Sequence, residues 1–391
     1  MKSLVELQGK LKGRRAIVAI GADVTLHNGA MVTQDDWRLW QALPTLQFLL
    51  REGANVVILN KIGRPEGVDP TLSNKVLIEP LEQHLRLPVH FVPFGETVPR
   101  DPSKRVVLMD NIRFDAREED EHEDFAKELA ANGDLYVFDA FNYAHRNHTS
   151  VWGISRLLPT YPGLLVEKET KILLKTLEDP EQPLGVIIGG IKVETKALVL
   201  KNFLSVAKYI CLGGVLANSI LHKQGKNVGT SIIDKEAIDA LHGVNLTNPT
   251  IQLPIDTIVN TNADSEEGAH EAVLGEIQSG DIILDIGPKT IHLFKELIKD
   301  CNTIIWNGPM GKNEMPAYAC GTIEIAKAIS ESAAFSILGG GDTISFLQAN
   351  GIAQGFNHLS TGGGAMLELL AQRTLPAIQA IEQSQKKYGI L

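Results

Sequence analysis

The sequence predicts an α/β protein of two domains, each built on a parallel sheet, and three observations carry that expectation. Short apolar, β-branched runs alternate with helix-periodic stretches along the chain, the pattern of parallel strands covered by helices on both faces. The 391 residues exceed what a single hydrophobic core usually holds. Near the midpoint, Leu184 to Lys201 reads as strand, glycine turn and helix start, and this unit recurs downstream.

Composition narrows the class. Hydrophobic residues make up 44% and charged residues 21%, as in ordinary folded proteins. The net charge of −10 argues against wholesale binding to nucleic acid or anionic membrane while permitting a local basic cleft. Cys211, Cys301 and Cys320 are odd in number and lack metal spacing, so reduced thiols in a cytoplasmic protein are expected. The opening Met-Lys-Ser-Leu-Val-Glu is a polar helical pattern, not a signal peptide, and no apolar run approaches membrane-spanning length.

In the first half, Ala16 to Ile20, Asn55 to Leu59, Arg105 to Met109 and Leu135 to Phe138 read as buried strands. Trp37 to Arg51 reads as a helix with apolar positions at Leu39, Leu43, Leu46 and Leu49. In parallel sheets ligands collect at the carboxyl ends of strands. Cations cluster there: Lys61 and Arg64 after one strand, Arg113 after another, His145 and Arg146 after a third, with Arg38 opening the first long helix. Guanidinium forks at several strand ends suit a small molecule carrying phosphate and carboxylate. The acidic run from Glu118 to Asp124, including His122, reads as a solvated helix face.

In the second half, Thr170 to Leu177 continues an amphipathic helix able to bridge the halves. Val186 to Ile188 reads as a strand broken by Gly189 and Gly190, with helical spacing from Val193 to Leu204. Lys192 and Lys196 are four apart, on one face of the first turn. They form either a phosphate clamp over a helix N-terminus or the solvent side of a surface helix. The βα pattern resumes at Tyr209 to Leu212, Ile282 to Ile286, Thr303 to Asn307, Phe335 to Leu338 and His358 to Leu359, most of these runs ending in glycine. Several such turns in one domain imply backbone wrapped around a polyanion. Asp342, just past a triple glycine, is placed to hold Mg²⁺ on a phosphate, or else to cap the following helix. Neither a Gly-x-x-x-x-Gly-Lys-Ser/Thr loop nor a Gly-x-Gly-x-x-Gly turn occurs, which excludes a P-loop enzyme and gives no clear dinucleotide binder.

Eight ordered blocks resemble the phosphoglycerate kinase family: Gly63-Arg64-Pro65, Asn111-Ile112-Arg113-Phe114, Asp139-Ala140-Phe141 with Ala144-His145-Arg146, Gly189-Gly190-Ile191-Lys192-Val193, Leu284 to Thr290, Trp306-Asn307-Gly308-Pro309, Gly339 to Thr343 and Ser360 to Ala365. The resemblance implies two Rossmann-like domains joined by a long helix and a hinge. Their expected boundaries are 1–165 for the acceptor domain, 166–370 for the nucleotide domain with the interdomain helix, and 371–391 for a segment returning to the first domain. It implies phosphoryl transfer between ATP and 3-phosphoglycerate with Mg²⁺ and domain closure, in a monomer without nucleic-acid or membrane partners.

The same resemblance implies residue roles. Lys192 stabilises the phosphoryl group in flight and Arg38 meets it from the other domain. Lys196 holds the phosphates of ATP or ADP with Gly190, Gly340, Gly341, Thr343, Gly362, Gly363 and Gly364, while Asn307 and Pro309 line the same site. Asp342 holds Mg²⁺ and Glu314 the ribose. Asp23, Lys61, Arg64, Arg113 and Arg146 bind the acceptor with Arg38.

The chain also departs from the family's pattern. The first strand usually ends Arg-Val-Asp-Phe-Asn, and Ala19, Gly21 and Asp23 stand at the arginine, aspartate and asparagine. Losing several charge-assisted contacts, each worth on the order of 1.5–3 kcal/mol, is expected to weaken the usual acceptor. Lys61 replaces a histidine and is expected to restore part of the missing charge. Asn142-Tyr143 replaces a Gly-Thr pair and is expected to crowd the same site, and Lys312-Asn313 replaces an apolar pair at the base platform. Two other readings stay open at this point: a kinase for a different small carboxylate, and a nucleotide-binding paralogue without turnover.

Overall fold

The computed structural model describes residues 1–27, 30–31, 36–191 and 194–390. The chain packs as two units, Met1–Ile172 with Thr374–Leu391, and Leu173–Arg373. Among the described residues, no helix is long and apolar enough to cross a membrane.

The first unit carries β1 (Arg15–Ile20), a short hairpin of β2 (Leu26–His27) and β3 (Ala30–Met31), then β4 (Asn55–Leu59), β5 (Val89–Val92), β6 (Val106–Met109), β7 (Leu135–Asp139) and β8 (Thr160–Pro162). Six of these form one parallel sheet in the order β5-β6-β4-β1-β7-β8. Its helices are α1 (Asp36–Arg51), α2 (Ile78–Leu85), α3 (Glu123–Ala130), α4 (Ile154–Leu157) and α5 (Leu164–Glu178). Strand β1 is buried from Ala16 to Ile20, as a strand covered on both faces must be. Ala16, Val18 and Ile20 join Leu39, Leu46, Val56, Ile58 and Leu108 in one core. The chain runs outward from β1 to β4 on one side and returns to β7 on the other, so the carboxyl end of β1 is a topological switch point, where such sheets bind ligands.

The second unit repeats the plan with β9 (Leu184–Ile188), β10 (Tyr209–Leu212), β11 (Ile251–Gln252), β12 (Asp256–Asn260), β13 (His270–Val273), β14 (Ile282–Ile286), β15 (Thr303–Asn307), β16 (Phe335–Gly339) and β17 (His358–Leu359). Its parallel sheet runs β11-β10-β9-β15-β16-β17, with the switch between β9 and β15. The helices are α6 (Glu194–Phe203), α7 (Gly214–Lys223), α8 (Lys235–Ala240), α9 (Pro288–Lys299), α10 (Cys320–Ser330), α11 (Gly341–Ala349) and α12 (Gly363–Gln372).

Strand β14 departs from expectation. The apolar run Ile282–Ile286 is a strand, but it pairs antiparallel with β12 in a separate three-stranded sheet ordered β13-β12-β14. Hydrophobicity reports burial of a strand and carries no information on the direction of its partner.

The last helix, α13 (Pro376–Lys387), packs on the first unit. Ser384 Oγ accepts from Thr160 N at 3.0 Å and donates to Leu158 O at 2.8 Å, and Gln385 bonds both backbone groups of Lys2. Cys211, Cys301 and Cys320 are all free thiols.

Asp139 closes β7 and accepts at Oδ1 from Leu165 N (3.0 Å) and Val166 N (3.2 Å), which anchors the first turn of α5. Its Oδ2 is buried without a partner. Burial pushes this carboxyl up to about 7, because hydrogen bonds from Thr45, Val166 and Leu165 offset only part of the desolvation. The folded value lies above the unfolded one, so the neutral acid favours the fold below about pH 4, and that contribution is lost as pH rises through about 7. Asp139→Asn should therefore flatten the fall in stability between about pH 5 and 7.5, read as urea midpoint against pH. An unchanged slope would show that Asp139 does not titrate in this range.

Candidate active site

At the carboxyl end of the first sheet, β1, β4, β6 and β7 deliver the residues expected to hold an acceptor. Asp23 Oδ1 accepts from Gly63 N at 2.9 Å, and the Asp23 carbonyl accepts from the guanidinium of Arg38. Asp23 therefore ties the β1 and β4 turns together and orients Arg38, which is half-buried. Arg113 is buried: its Nη1 donates to Gly63 O at 2.6 Å, its Nε donates to Glu119 Oε1 at 2.5 Å, and its guanidinium lies 5.1 Å from the Tyr143 ring centre. Arg64 and Arg146 are exposed. The arrangement is a row of guanidinium groups around one strand switch, able to bind a phosphorylated anion.

Lys61 is not part of that row. It is 3% exposed, and its Nζ sits 2.8 Å from Oε1 of Glu118, which is 0% exposed. The same ammonium reaches His148 Nδ1 at 3.1 Å and Ser150 Oγ at 3.2 Å, and it lies 4.3 Å from the Tyr143 ring centre. The expectation that Lys61 restores charge to the acceptor pocket is corrected: that charge is matched by a buried carboxylate. The reading of Glu118 to Asp124 as a solvated helix face holds in part: Glu119, Asp120, Glu121, Glu123 and Asp124 are exposed, but Glu118 is buried and the helix does not cover the run. Glu118 lies in a 3₁₀ turn, Glu119 binds Arg113, and His122 caps α3, which starts only at Glu123.

Burial, with Arg146 and Lys61 nearby, lowers His145 to about 4, and burial with Lys61 lowers His148 to about 3. Both rings are neutral near pH 7, so His148 Nδ1 can accept from Lys61 and the pocket's positive charge rests on guanidinium groups.

In the second unit, four segments meet at the carboxyl ends of β9, β15, β16 and β17. Gly189 N donates to Asn307 O at 2.9 Å, Gly190 N donates to Pro309 O at 2.7 Å, and Gly190 O accepts from Val215 N at 3.1 Å. These bonds bind the turn after β9 to the turn after β15 and to the start of α7. A Cβ at Gly308 would lie 2.3 Å from Gly189 O, and one at Gly363 would lie 2.7 Å from the Cα of Gly340, whose φ is +108°. Backbone here packs on backbone, which only glycine allows. Helices α7, α11 and α12 begin at this rim with no side-chain cap, which brings the positive ends of three helix dipoles together there, with Val215 N of α7 already bonded to Gly190 O.

The predicted nucleotide residues fall on these segments. Lys196 is 4% exposed and donates to Gly189 O, so it is built into the turn and does not lie along a solvent face. Lys192 lies outside the described residues. Gly340, Gly341, Asp342 and Thr343 form the start of α11; Gly340 is the N-cap, so the capping reading of Asp342 fails and its carboxylate is exposed in the first turn. Gly362, Gly363 and Gly364 open α12, and Asn307 Nδ2 reaches Gly363 O at 3.5 Å. Glu314 is exposed. Lys312 donates to Ala263 O (2.8 Å) and Asp264 Oδ1 (2.7 Å), and Asn313 is buried. Among the described residues no three metal-ligating side chains cluster, so a cation here fits one carboxylate, Asp342, with phosphate oxygens and water completing its shell.

Sequence reading missed Glu118 and Glu119 as the carboxylates that hold Lys61 and Arg113. The available signal was their position just after Arg113-Phe114, on the chain segment leaving a strand end.

Comparison with known proteins agrees across the chain. The family model described as phosphoglycerate kinase matches residues 6–373. A phosphoglycerate kinase of Dictyoglomus turgidum is 39% identical over 393 aligned residues, covering 97% of this chain and 99% of the relative. Among solved structures, phosphoglycerate kinase from Coxiella burnetii superposes with a TM-score of 0.83 at 32% identity, covering 98% of this chain and 99% of that one. The enzyme from Pyrococcus horikoshii gives a TM-score of 0.83 at 29% identity, covering 99% and 100%.

Proposed function

The chain belongs to the phosphoglycerate kinase family, and we infer that it moves a phosphoryl group reversibly between ATP and the carboxylate of 3-phosphoglycerate, giving 1,3-bisphosphoglycerate and ADP in glycolysis. The observation that carries this reading is the pairing of two chemistries in one chain: a guanidinium row at the first sheet's switch point and a glycine-backed rim of uncapped helix starts at the second's.

The attacking carboxylate is already ionised, so no general base is required and the protein's work is positioning and charge neutralisation. Arg64, Arg113 and Arg146 bind the triose phosphate, with Arg113 held by Gly63 and Glu119. Asp23 orients Arg38 toward the transferred group. Lys196 and the N–H groups at Gly340, Gly341, Gly363 and Gly364 hold the nucleotide phosphates, and Glu314 takes the ribose. Mg²⁺, when bound through Asp342, neutralises phosphate charge. Lys192 stabilises the phosphoryl group in transit. Closure of the two domains, with boundaries near 165 and 370, excludes water that would hydrolyse ATP. The protein acts as a cytoplasmic monomer.

The test is a coupled assay with Mg·ATP and 3-phosphoglycerate, run beside a no-acceptor control and thermal-shift titrations with each ligand. Turnover well above the control supports the assignment. A shift with ATP alone, without acceptor shift or turnover, favours a kinase for another small carboxylate or a binder without turnover. Lys192→Ala should cut kcat by at least about 10²–10³-fold, the loss typical of one transition-state contact, while the ATP thermal shift persists. Unchanged turnover would remove Lys192 from the mechanism.

A further inference from the structure

Positions 21 and 142 compete for one volume. Gly21 is buried just past β1, and a Cβ built on it would lie 2.1 Å from Oδ1 and 3.0 Å from Cγ of Asn142. Asn142 comes from the turn after β7, the strand paired with β1. Its Nδ2 donates to Gly21 O at 3.3 Å, and its Oδ1 is buried without a hydrogen-bond partner. An unpaired buried oxygen is costly, so the single bond from Nδ2 accounts for only half of the amide. Its shape accounts for the rest: the amide occupies the space that a side chain at 21 would fill.

We propose that Asn142 is a specificity-determining residue of the acceptor pocket, forming with Gly21 a coupled pair in which a side chain at 21 displaces the Asn142 amide from its place. The inference rests on the assignment of the first unit as the acceptor side. Asn142 sits between Gly21 and Tyr143, whose ring lies beside Arg113 and whose hydroxyl reaches toward Lys61 O at 3.5 Å. At this wall the chain presents a neutral amide in place of any group projecting from β1. The cations offered to a phosphorylated carboxylate are then Arg64, Arg113 and Arg146, with Asp23 and Glu119 as the carboxylates already beside them. A side chain introduced on β1 alone meets the Asn142 amide first and must turn it away from Gly21 O, its hydrogen-bond acceptor.

Five proteins test this: wild type, Gly21→Asp, Asn142→Gly, the double variant, and Gly21→Ala as a milder probe of the Cβ alone. For each, kcat, the KM for 3-phosphoglycerate, the KM for ATP and the urea midpoint are measured. Gly21→Asp should raise the acceptor KM about tenfold or more and lower the midpoint, and Asn142→Gly added to it should recover most of both, a coupling in the range shown by contacting residues. The KM for ATP should stay constant throughout, which a merely structural defect would not guarantee. Additive effects of the two substitutions, or parallel changes in both KM values, overturn the pairing while leaving the family reaction intact. A wild type inactive on 3-phosphoglycerate overturns the acceptor assignment itself, and this inference with it.

Discussion

Lys61→Met is expected to destabilise the first unit by about 3–5 kcal/mol, the usual result of removing one partner of a buried ion pair. The substitution is close to isosteric, so little of the effect comes from volume. What remains is Glu118, fully buried, with Ser150 N and Ser150 Oγ donating to it at 3.1 and 2.6 Å but no countercharge. Glu118→Gln should cost a comparable amount by stranding the ammonium beside His148 and Tyr143. The double change to Met and Gln should cost less than the sum of the singles, because neither charge is then left behind. Urea unfolding followed by tryptophan fluorescence reads this, since Trp37, Trp40 and Trp152 all lie in the first unit. The competing idea, in which Lys61 serves the acceptor, predicts the opposite split: a raised KM for 3-phosphoglycerate with stability nearly unchanged. Loss of less than about 1 kcal/mol would sink the buried-pair account.

Much of the fold was legible because it is written in local patterns. The runs at Ala16 to Ile20, Asn55 to Leu59 and Leu135 to Phe138 are buried strands at close to the expected bounds, and Trp37 to Arg51 is helical. The collection of cations at strand ends was legible for the same reason, since the end of an apolar run marks where a parallel sheet opens. What those cations touch was not. Lys61 meets Glu118 and His148 from 57 and 87 residues away, and Gly21 meets Asn142 from 121. These contacts exist only because β1 lies between β4 and β7, an order that no local periodicity encodes. Glu118 illustrates the hazard most clearly. An acidic run is usually a solvated face, yet one carboxylate in this run is core, and only its partner lysine explains why. The glycine turns behaved differently. Gly189, Gly308, Gly340 and Gly363 were recognisable as turns, but their mutual contact, backbone against backbone from separate strands, again needed the sheet order.

That contact yields the second large expected effect. Gly363→Ala should lower kcat/KM for ATP by about 10²-fold, the scale at which a displacement of roughly 1 Å is felt in a positioned site. The added methyl would lie 2.7 Å from Gly340 Cα and 2.8 Å from Gly340 N, both backbone atoms that no rotamer change can move. Gly340 already sits at φ +108°, a conformation other residues rarely adopt, so its own loop has little room to yield. The turns after β16 and β17 must then separate, and the starts of α11 and α12 move with them. Overpacking of this kind typically costs about 1–3 kcal/mol in stability, too little to unfold the unit and enough to shift the helix starts proposed to hold the nucleotide phosphates. With the proposed nucleotide site in the second unit, the thermal shift produced by 3-phosphoglycerate should be unchanged while the shift produced by ATP shrinks. A variant that loses stability yet keeps its KM for ATP would show that these two helix starts carry no nucleotide phosphate, and the holding role would then pass to Lys196 and the turn after β9.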